Sequence, residues 1–225
     1  HQTTFGMSER LLGAVVGMHG DDKGLIMPPS IAPFQVVVMP VASHSDDNVI
    51  PAVESLAADL NASGLRVTVD LRDVRPGVKH YDWEIKGAPI RVELGPRDLK
   101  SSKCIATLRT GGKVEIDLHE ASTKIREMLS DVSDELRNRA NSVVSDLVQE
   151  LPIENLDSKE ENDSIVRDGI VYEIAFDGTD SDAEVLEKKT GLTLLGECDE
   201  SFEEPRKCLV TGKNTTKKQY IARMY

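Results

Sequence analysis

The order of elements between residues 34 and 70 constrains the fold more than any other feature of the sequence. Phe34–Pro40 contains three consecutive valines and ends in proline, which is typical of a buried strand. Asn48–Ser63 has the period of an amphipathic helix, with Gly64 placed to end it, and Leu65–Asp70 is a second strand. The apolar stripe of the helix consists of Val49, Val53, Leu56 and Leu60. Because the links are short, the three elements predict a βαβ unit with two parallel strands.

Three more strands extend this unit into a sheet. Ile90–Leu94 follows a helix predicted at Val78–Lys86. Cys104–Leu108 and Lys113–Leu118 are joined by a Gly-Gly turn that suits a hairpin. The predicted fold class is therefore α/β, with a mixed sheet of about five strands and helices packed against it.

A long helix separates this sheet from a smaller C-terminal region. Ser122–Leu151 carries apolar residues every three or four positions, and Pro152 ends it. The acidic stretch Asn155–Ser164 is expected at the surface. Gly169–Phe176 and Ala183–Thr190 predict a strand and a helix of a small α+β domain. The expected domains are residues 1–30, 31–152 and 153–225.

The composition excludes some classes of protein. No apolar run is long enough to span a membrane, and three cysteines, an odd number, fit a reducing cytoplasm better than a disulfide framework. The net charge of −12 argues against general binding to DNA. Arg66–Lys113 nevertheless contains eleven basic and six acidic residues. Such a local positive field can hold a phosphate backbone, although a solvated charged face has the same composition.

Several segments carry a resemblance to one family. Phe5-Gly6-Met7-Ser8-Glu9-Arg10 contains a Gly-x-x-x-Arg pattern at the start of a helix predicted at Glu9–Met18, and the turn His19-Gly20-Asp21-Asp22-Lys23-Gly24 follows it. Residues 74–98 read VRPGVKHYDWEIKGAPIRVELGPRD, and the chain ends in Ala-Arg-Met-Tyr. Together these segments resemble the C-terminal part of class II aminoacyl-tRNA synthetases, in detail the prolyl-tRNA synthetases of archaeal and eukaryotic type, cut close to the third class II motif.

The resemblance implies substrate-binding residues in the first segment. Arg10 would be the catalytic residue that contacts ATP, and Phe5, Gly6 and Ser8 would line the pocket for proline and its adenylate. The parent enzyme would attach L-proline to tRNA(Pro) through prolyl-adenylate, using ATP with Mg2+, and would dimerise through its catalytic domain. Since the other class II motifs are missing, the 225 residues alone are expected to be inactive. Taken without the resemblance, the segment also fits a core helix with a surface arginine.

The resemblance also implies an anticodon reader, whose match runs without a gap from Trp83 to Lys113. Its base-reading residues would be Glu84, Arg91, Asp98 and Lys113, and its contacts with the RNA backbone Lys79 and Arg109. Carboxylates accept from the ring N–H and amino group of guanine, while Arg and Lys donate to its O6 and N7. Proline anticodons share two guanines, so both kinds of group are expected. The alternative is a weak surface ion pair between Glu84 and Arg91, with Trp83 as a core anchor.

Members of this family often hold zinc in the C-terminal domain, through a Cys-x4-Cys and a later Cys-x2-Cys. The corresponding positions here are Asp177, Asp182, Cys208 and Thr211. Hard oxygen groups thus replace three of the four soft thiolates, which makes a poor zinc site. No zinc is therefore expected.

Other interpretations share this fold. Glycyl-, threonyl- and histidyl-tRNA synthetases have related anticodon domains, so the fold alone does not choose among them. A non-catalytic relative that binds RNA, or a purely structural interaction domain, is also compatible with a charged sheet. Arg10 and the His-Gly-Asp-Asp turn favour a synthetase, since neither of these alternatives needs a residue for ATP.

Overall fold

The computed structural model describes residues 2–153, 156, 162 and 165–224 of the chain. The chain divides into two compact units, His1–Ala140 and Asn141–Tyr225. None of the described helices combines the length and the apolar character needed to cross a membrane. Most of the acidic stretch predicted at 155–164, together with the terminal Tyr225, lies outside the described residues.

The first unit is built on a five-stranded mixed sheet. Its strands are β1 (Val36–Pro40), β2 (Val67–Val69), β3 (Ile90–Leu94), β4 (Lys103–Leu108) and β5 (Lys113–Asp117). The strand order is β2-β1-β3-β4-β5. β1 runs parallel to both β2 and β3, whereas β4 is antiparallel to both of its neighbours. The predicted βαβ unit, the hairpin and the mixed sheet are all confirmed.

Five α-helices begin among the described residues of this unit. They are α1 (Arg10–His19), α2 (Val49–Ala62), α3 (Pro76–Ile85), α4 (Pro96–Lys100) and α5 (Ala121–Leu147). α3 starts two residues before the predicted position, because proline fits the first turn of a helix, where no intrahelical bond to its nitrogen is needed. The short α4 was not among the predicted elements. Its first turn is held by the Asp98 carboxylate, which accepts the Gly95 N–H at 2.9 Å.

The two faces of the sheet have different environments. On the inner face, alternate residues of β3 enter a core that is shared with α2 and α5. This core includes Val36, Val38, Val53, Leu60, Ile90, Val92, Leu94 and Ile125. On the outer face, Trp83 of α3 packs against Val37 and Met39 of β1. The outer face of β4 and β5 is half-exposed or exposed, so polar side chains can be presented there.

The long helix ends earlier than predicted. α5 stops at Leu147, whereas the apolar period predicted a helix to Leu151. Residues Val148–Glu150 instead form strand β6, in parallel register with Val171 and the two residues after it. The helix prediction was therefore wrong over the last residues, because pairing with a distant strand overrode the local periodicity.

The second unit is a small α+β fold. It contains β6, β7 (Val171–Ala175), α6 (Asp180–Thr190), β8 (Thr193–Glu197), β9 (Arg206–Lys207), β10 (Asn214–Thr215) and β11 (Lys218–Ala222). Four strands form a sheet of order β6-β7-β11-β8, and β9 and β10 form a separate hairpin. Tyr172, Leu186 and Ile221 are among its buried core residues. The α+β prediction for this region is confirmed.

Candidate nucleic-acid interface

Three polar side chains cross the outer face of the sheet at one level. Arg91 on β3 is the register partner of Thr107 on β4, and Thr107 is the register partner of Lys113 on β5. Directly opposed residues of antiparallel strands have Cβ atoms about 4.5–5.5 Å apart, so the three side chains are neighbours. Lys113 is exposed, while Arg91 and Thr107 are half-buried. We call this set the Arg91–Thr107–Lys113 row.

A second row runs beside the first. Glu93 pairs with Ile105, and Ile105 with Glu115, two residues further along each strand. Two residues of a strand span about 6.6 Å, so the two rows lie within the width of one nucleotide base and its contacts. The outer face therefore presents cations in one row and carboxylates in the next. This is the combination that a guanine base requires.

Helix α3 borders these rows and supplies a further carboxylate. Arg91 Nη1 donates to the His80 carbonyl oxygen at 3.1 Å, and His80 Nε2 lies 2.8 Å from Glu93 Oε1. Glu84 follows His80 by one helical turn, on the same side of α3. Its Oε1 is 3.9 Å from Lys23 Nζ, and no ion pair joins it to Arg91 among the described residues. Glu84 thus lies on the helix that borders the Arg91–Thr107–Lys113 row.

Some polar atoms of this face are buried without a partner. Arg91 Nε and Thr107 Oγ1 have no hydrogen-bond partner among the described residues. Leaving a buried donor or acceptor unpaired costs about 1–3 kcal/mol. Such atoms are rare in folded proteins, and a group of them on one face is expected where a ligand or water completes the bonding.

Two other residues that were expected to contact RNA, Lys79 and Asp98, form hydrogen bonds within the protein instead. Lys79 is only 4% exposed, and its Nζ donates to the Asp70 carbonyl oxygen at 3.0 Å. Asp98 lies four residues after the end of β3, where its carboxylate caps α4. The structure therefore does not present Lys79 to an RNA backbone, and it does not bring Asp98 into either row.

Asp70 fixes α3 to the sheet. Its carboxylate accepts from Arg72 Nε at 2.9 Å, from Arg72 Nη2 at 2.7 Å and from Trp83 Nε1 at 2.8 Å. The hydrogen bonds from Arg72, followed by the one from Trp83, hold the pKa of Asp70 well below its usual range despite burial. Arg72 also donates to Asp82 of α3 at 2.7 Å. The helix that carries His80 and Glu84 is thereby fixed against β2.

Arg109 is buried at the end of β4, contrary to the exposed position that a backbone contact requires. Its guanidinium, 2% exposed, donates to both carboxylate oxygens of Asp21, at 2.9 and 2.5 Å. Nε also donates to the carbonyl oxygens of Leu25 and Glu84, at 3.1 and 3.0 Å. The hydrogen bonds from Arg109 to the Asp21 carboxylate hold the pKa of Asp21 well below its usual range. Contact between Arg109 and RNA would require this network to open.

Two glycines allow the same segment to approach α3 closely. Leu25 N–H donates to the Ile85 carbonyl, and Met27 N–H to the Gly87 carbonyl. A Cβ on Gly24 would lie 2.6 Å from Ile85 Cα, and a Cβ on Gly87 would lie 2.5 Å from the Leu25 oxygen. Both glycines have positive φ angles, +130° and +72°. The turn after α1 is therefore fastened to the end of the helix that carries Glu84.

The expected proline and ATP residues do not form a pocket in this structure. Phe5 is 94% exposed, and no atom lies within 4 Å of a Cβ built on Gly6. Ser8 and Arg10 are exposed, and α1 has no buried residue. The predicted helix is confirmed, but its apolar side chains, such as Leu12, lie at the surface of the unit.

The four positions that correspond to zinc ligands have other bonding. Thr211 Oγ1 lies 3.2 Å from Asp177 Oδ1, and Asp182 caps α6 by accepting the Thr179 N–H. Cys208 is buried in the turn between β9 and β10. Burial alone would raise the pKa of its thiol, but hydrogen bonds from Thr211 and from nearby backbone groups lower it. The described residues include no group of three or more His, Cys, Asp or Glu that could hold a metal ion.

Sequence reasoning missed two residues of the outer face. Thr107 follows from the hairpin, because a Gly-Gly turn places it opposite Lys113 once the register is known. His80 lies four residues before Glu84, so helical spacing alone places the two on one side. Neither residue type is distinctive by itself, and only the register and the unpaired atoms indicate a role.

Comparison with known proteins agrees with this geometry. Residues 35–128 match the anticodon binding domain family. The chain is 40% identical to a proline–tRNA ligase of Pyrococcus horikoshii and 38% identical to one of Thermococcus kodakarensis, in each case over 99% of the chain and 46% of the relative. A solved structure, Giardia lamblia prolyl-tRNA synthetase in complex with prolyl-adenylate, matches with a TM-score of 0.81 and 30% identity, over 96% of this chain and 47% of that one.

The chain spans about half the length of the curated relatives that it matches. The sequence similarity extends over nearly all of its residues, and the structural match includes both units. The matched family domain contains all five strands of the sheet and both charged rows. Over nearly all of its residues, the chain is therefore similar to proline–tRNA ligases, and its five-stranded sheet lies within the match to the anticodon binding domain family.

Proposed function

We propose that this chain is the anticodon-reading part of a proline–tRNA ligase, and that the outer face of β3–β5 reads the two guanines of the proline anticodon. The Arg91–Thr107–Lys113 row, bordered by Glu84, is the observation that carries the proposal. Arg91 and Lys113 lie on one face on either side of Thr107, and Glu84 lies on the helix that borders them, which supports the proposal.

The chemistry of guanine fits this face. Bases of a single-stranded loop can be unstacked and read on their edges by charged side chains. Glu84 would accept from the ring N–H and amino group of one guanine, while Arg91 or Lys113 donates to O6 and N7. Asp98 would take part only if its cap on α4 opens. Lys79 and Arg109 would support the surface from inside the fold.

The local charge favours attraction of a phosphate backbone to this part of the chain. The surplus of basic residues in Arg66–Lys113 attracts phosphates, and the net charge of −12 of the whole chain repels them elsewhere. Backbone attraction should therefore weaken with salt, whereas discrimination between bases should persist. No role in binding DNA is proposed.

The activity of the parent protein is part of the same proposal. Proline and ATP would form prolyl-adenylate, and tRNA(Pro) would then accept the prolyl group, with Mg2+ neutralising phosphate charge. Arg10 would contact ATP, and Phe5, Gly6 and Ser8 would line the pocket. The exposure of these residues and of the apolar face of α1 supports a site completed by the part of the relatives that this chain lacks. The 225 residues alone would then be inactive.

The remaining features of the parent follow from the same relationship. Residues 1–30 would belong to the catalytic domain, 31–152 to the anticodon-binding domain and 153–225 to a C-terminal domain without zinc. Dimerisation would run through the catalytic domain. The three free cysteines support a location in the reducing cytoplasm.

The test is base discrimination by variants of the 225-residue chain. Glu84→Gln and Arg91→Ala are compared with Lys124→Ala, an exposed residue of α5 that pairs only weakly with Glu127. The RNA is a proline anticodon stem-loop, with either guanine replaced by adenine in turn. We expect the first two variants to lose roughly 10–100-fold in affinity for the guanine RNA, as 1–3 kcal/mol per bidentate contact implies. Retention of full discrimination by both variants would refute the assignment.

A further inference from the structure

We propose that Thr107 is a further specificity-determining residue of this surface, and that its hydroxyl binds the O6/N7 edge of an anticodon guanine together with Arg91. The inference rests on the proposed function, since it names an additional contact in the same site. Neither the family resemblance nor the residue type points to Thr107, and only its place in the sheet does.

The first argument is position. Thr107 is the central member of the Arg91–Thr107–Lys113 row, with a register partner on each side. Its neighbours along β4, Ala106 and Leu108, belong to the inner core, so the Thr107 side chain lies on the outer face. A base that contacts both cations must therefore pass over Thr107.

The second argument is unsatisfied bonding. Thr107 Oγ1 and Arg91 Nε are both buried and both lack a hydrogen-bond partner among the described residues. Arg91 Nη1 donates to the His80 carbonyl oxygen, which fixes one end of the guanidinium and leaves Nε as an unused donor. A threonine hydroxyl can rotate to donate in the same direction. The pair thus offers two donors where the structure supplies no acceptor.

The third argument is the type of ligand that fits. Two adjacent donors select a group with neighbouring acceptors, and guanine carries O6 and N7 side by side on one edge. Adenine has an amino donor in place of O6, so it would meet the threonine and the arginine with a mismatched group. Since Thr107 Oγ1 is buried, one flanking side chain must change rotamer on binding, as is common at interfaces.

The experiment uses Thr107→Val, which keeps the β-branched shape of the strand residue and removes only the hydroxyl. We expect a roughly five- to tenfold loss of affinity for the guanine stem-loop, as one hydrogen bond to a base implies. Thr107→Ser should recover most of it. In a second set of RNAs, the guanine is replaced by 7-deazaguanine, which lacks N7, or by 2-aminopurine, which lacks O6. The analogue that lacks the acceptor used by the Thr107 hydroxyl cannot form this hydrogen bond. For at least one of these analogue RNAs, the affinities of the Thr107→Val variant and of the parent chain should therefore agree within twofold.

Folding is measured in parallel, because a structural role would give a different pattern. The hydroxyl has no hydrogen-bond partner among the described residues, so Thr107→Val should unfold at the same urea concentration as the parent chain or at a higher one. Binding by the valine variant within twofold of the parent would overturn the inference, as would an equal loss against guanine and both analogues. If the parent chain itself does not distinguish guanine from adenine, the proposed function fails, which is a separate result.

Discussion

Replacing Arg109 by methionine separates a structural role from a contact with RNA. Methionine keeps much of the volume of the side chain but removes every donor. In the variant, Asp21 would lose its ion pair with the guanidinium. The carbonyl oxygens of Gly24, Leu25 and Glu84 would lose the hydrogen bonds that they accept from it.

The size of the effect follows from burial. Removing one partner of a buried ion pair costs about 3–5 kcal/mol. Asp21 is 39% exposed, so water can solvate the remaining carboxylate, and the lower end of that range applies. We therefore expect a loss of about 3 kcal/mol in the free energy of unfolding. With a slope of about 2 kcal/mol per molar urea, the midpoint should fall by about 1.5 M.

Urea unfolding followed by tryptophan fluorescence measures this directly. Trp83 is the single tryptophan of the chain and lies in the first unit, so its signal reports on the unit that contains Arg109. Lys124→Met, at an exposed ion pair, is the control and should shift the midpoint very little. The salt dependence of RNA binding is measured on the same samples.

The two roles give opposite results. If Arg109 has only a structural role inside the fold, the urea midpoint falls and the slope of log affinity for RNA against log salt concentration is unchanged. If Arg109 contacts a phosphate, as the resemblance implied, the slope falls by about 1 and stability is nearly unaffected. The second result would refute the structural role.

Three further outcomes are expected. The depressed pKa values of Asp21 and Asp70 mean that their stabilisation is present above about pH 4 and is lost as the pH falls further. Urea midpoints between pH 6 and pH 2.5 should show this loss, and Asp70→Asn should flatten it. Gly87→Ala should destabilise the first unit by about 2 kcal/mol, because φ is +72° and the added Cβ would meet the Leu25 carbonyl oxygen. The control is Gly77→Ala, in open space on α3, which should be neutral or slightly stabilising. Equal shifts of the melting temperature in the two variants would contradict this expectation. Elemental analysis should find no stoichiometric zinc, and EDTA should leave the melting temperature unchanged; one zinc per chain would contradict the expectation.

The sheet was predictable from sequence because its signals are local. Ile90–Leu94 alternates inward and outward residues, and the Gly-Gly turn fixes the hairpin between β4 and β5. The end of α5 was not predictable in the same way, since Val148–Glu150 leaves the helix only to pair with a strand more than twenty residues away.

The site was predictable in part. Glu84, Arg91 and Lys113 carry charges that match a guanine, and the sheet register places Arg91 and Lys113 on one face, on either side of Thr107. Arg109 carries the same charge, but its burial against Asp21, 88 residues away along the chain, depends on a tertiary contact that composition does not reveal. A sequence lists charges, whereas the fold decides which of them face solvent.

The most direct test of the central proposal is competition between tRNAs for the unmodified chain. Proline tRNA is compared with the same tRNA carrying both anticodon guanines replaced by adenine, from low to moderate salt. We expect absolute affinities to fall with salt while a preference of at least tenfold for the guanine tRNA persists, because base contacts are not counterion effects. Equal affinities that fall together with salt would mean attraction to the backbone alone, and would contradict an anticodon-reading function for this face.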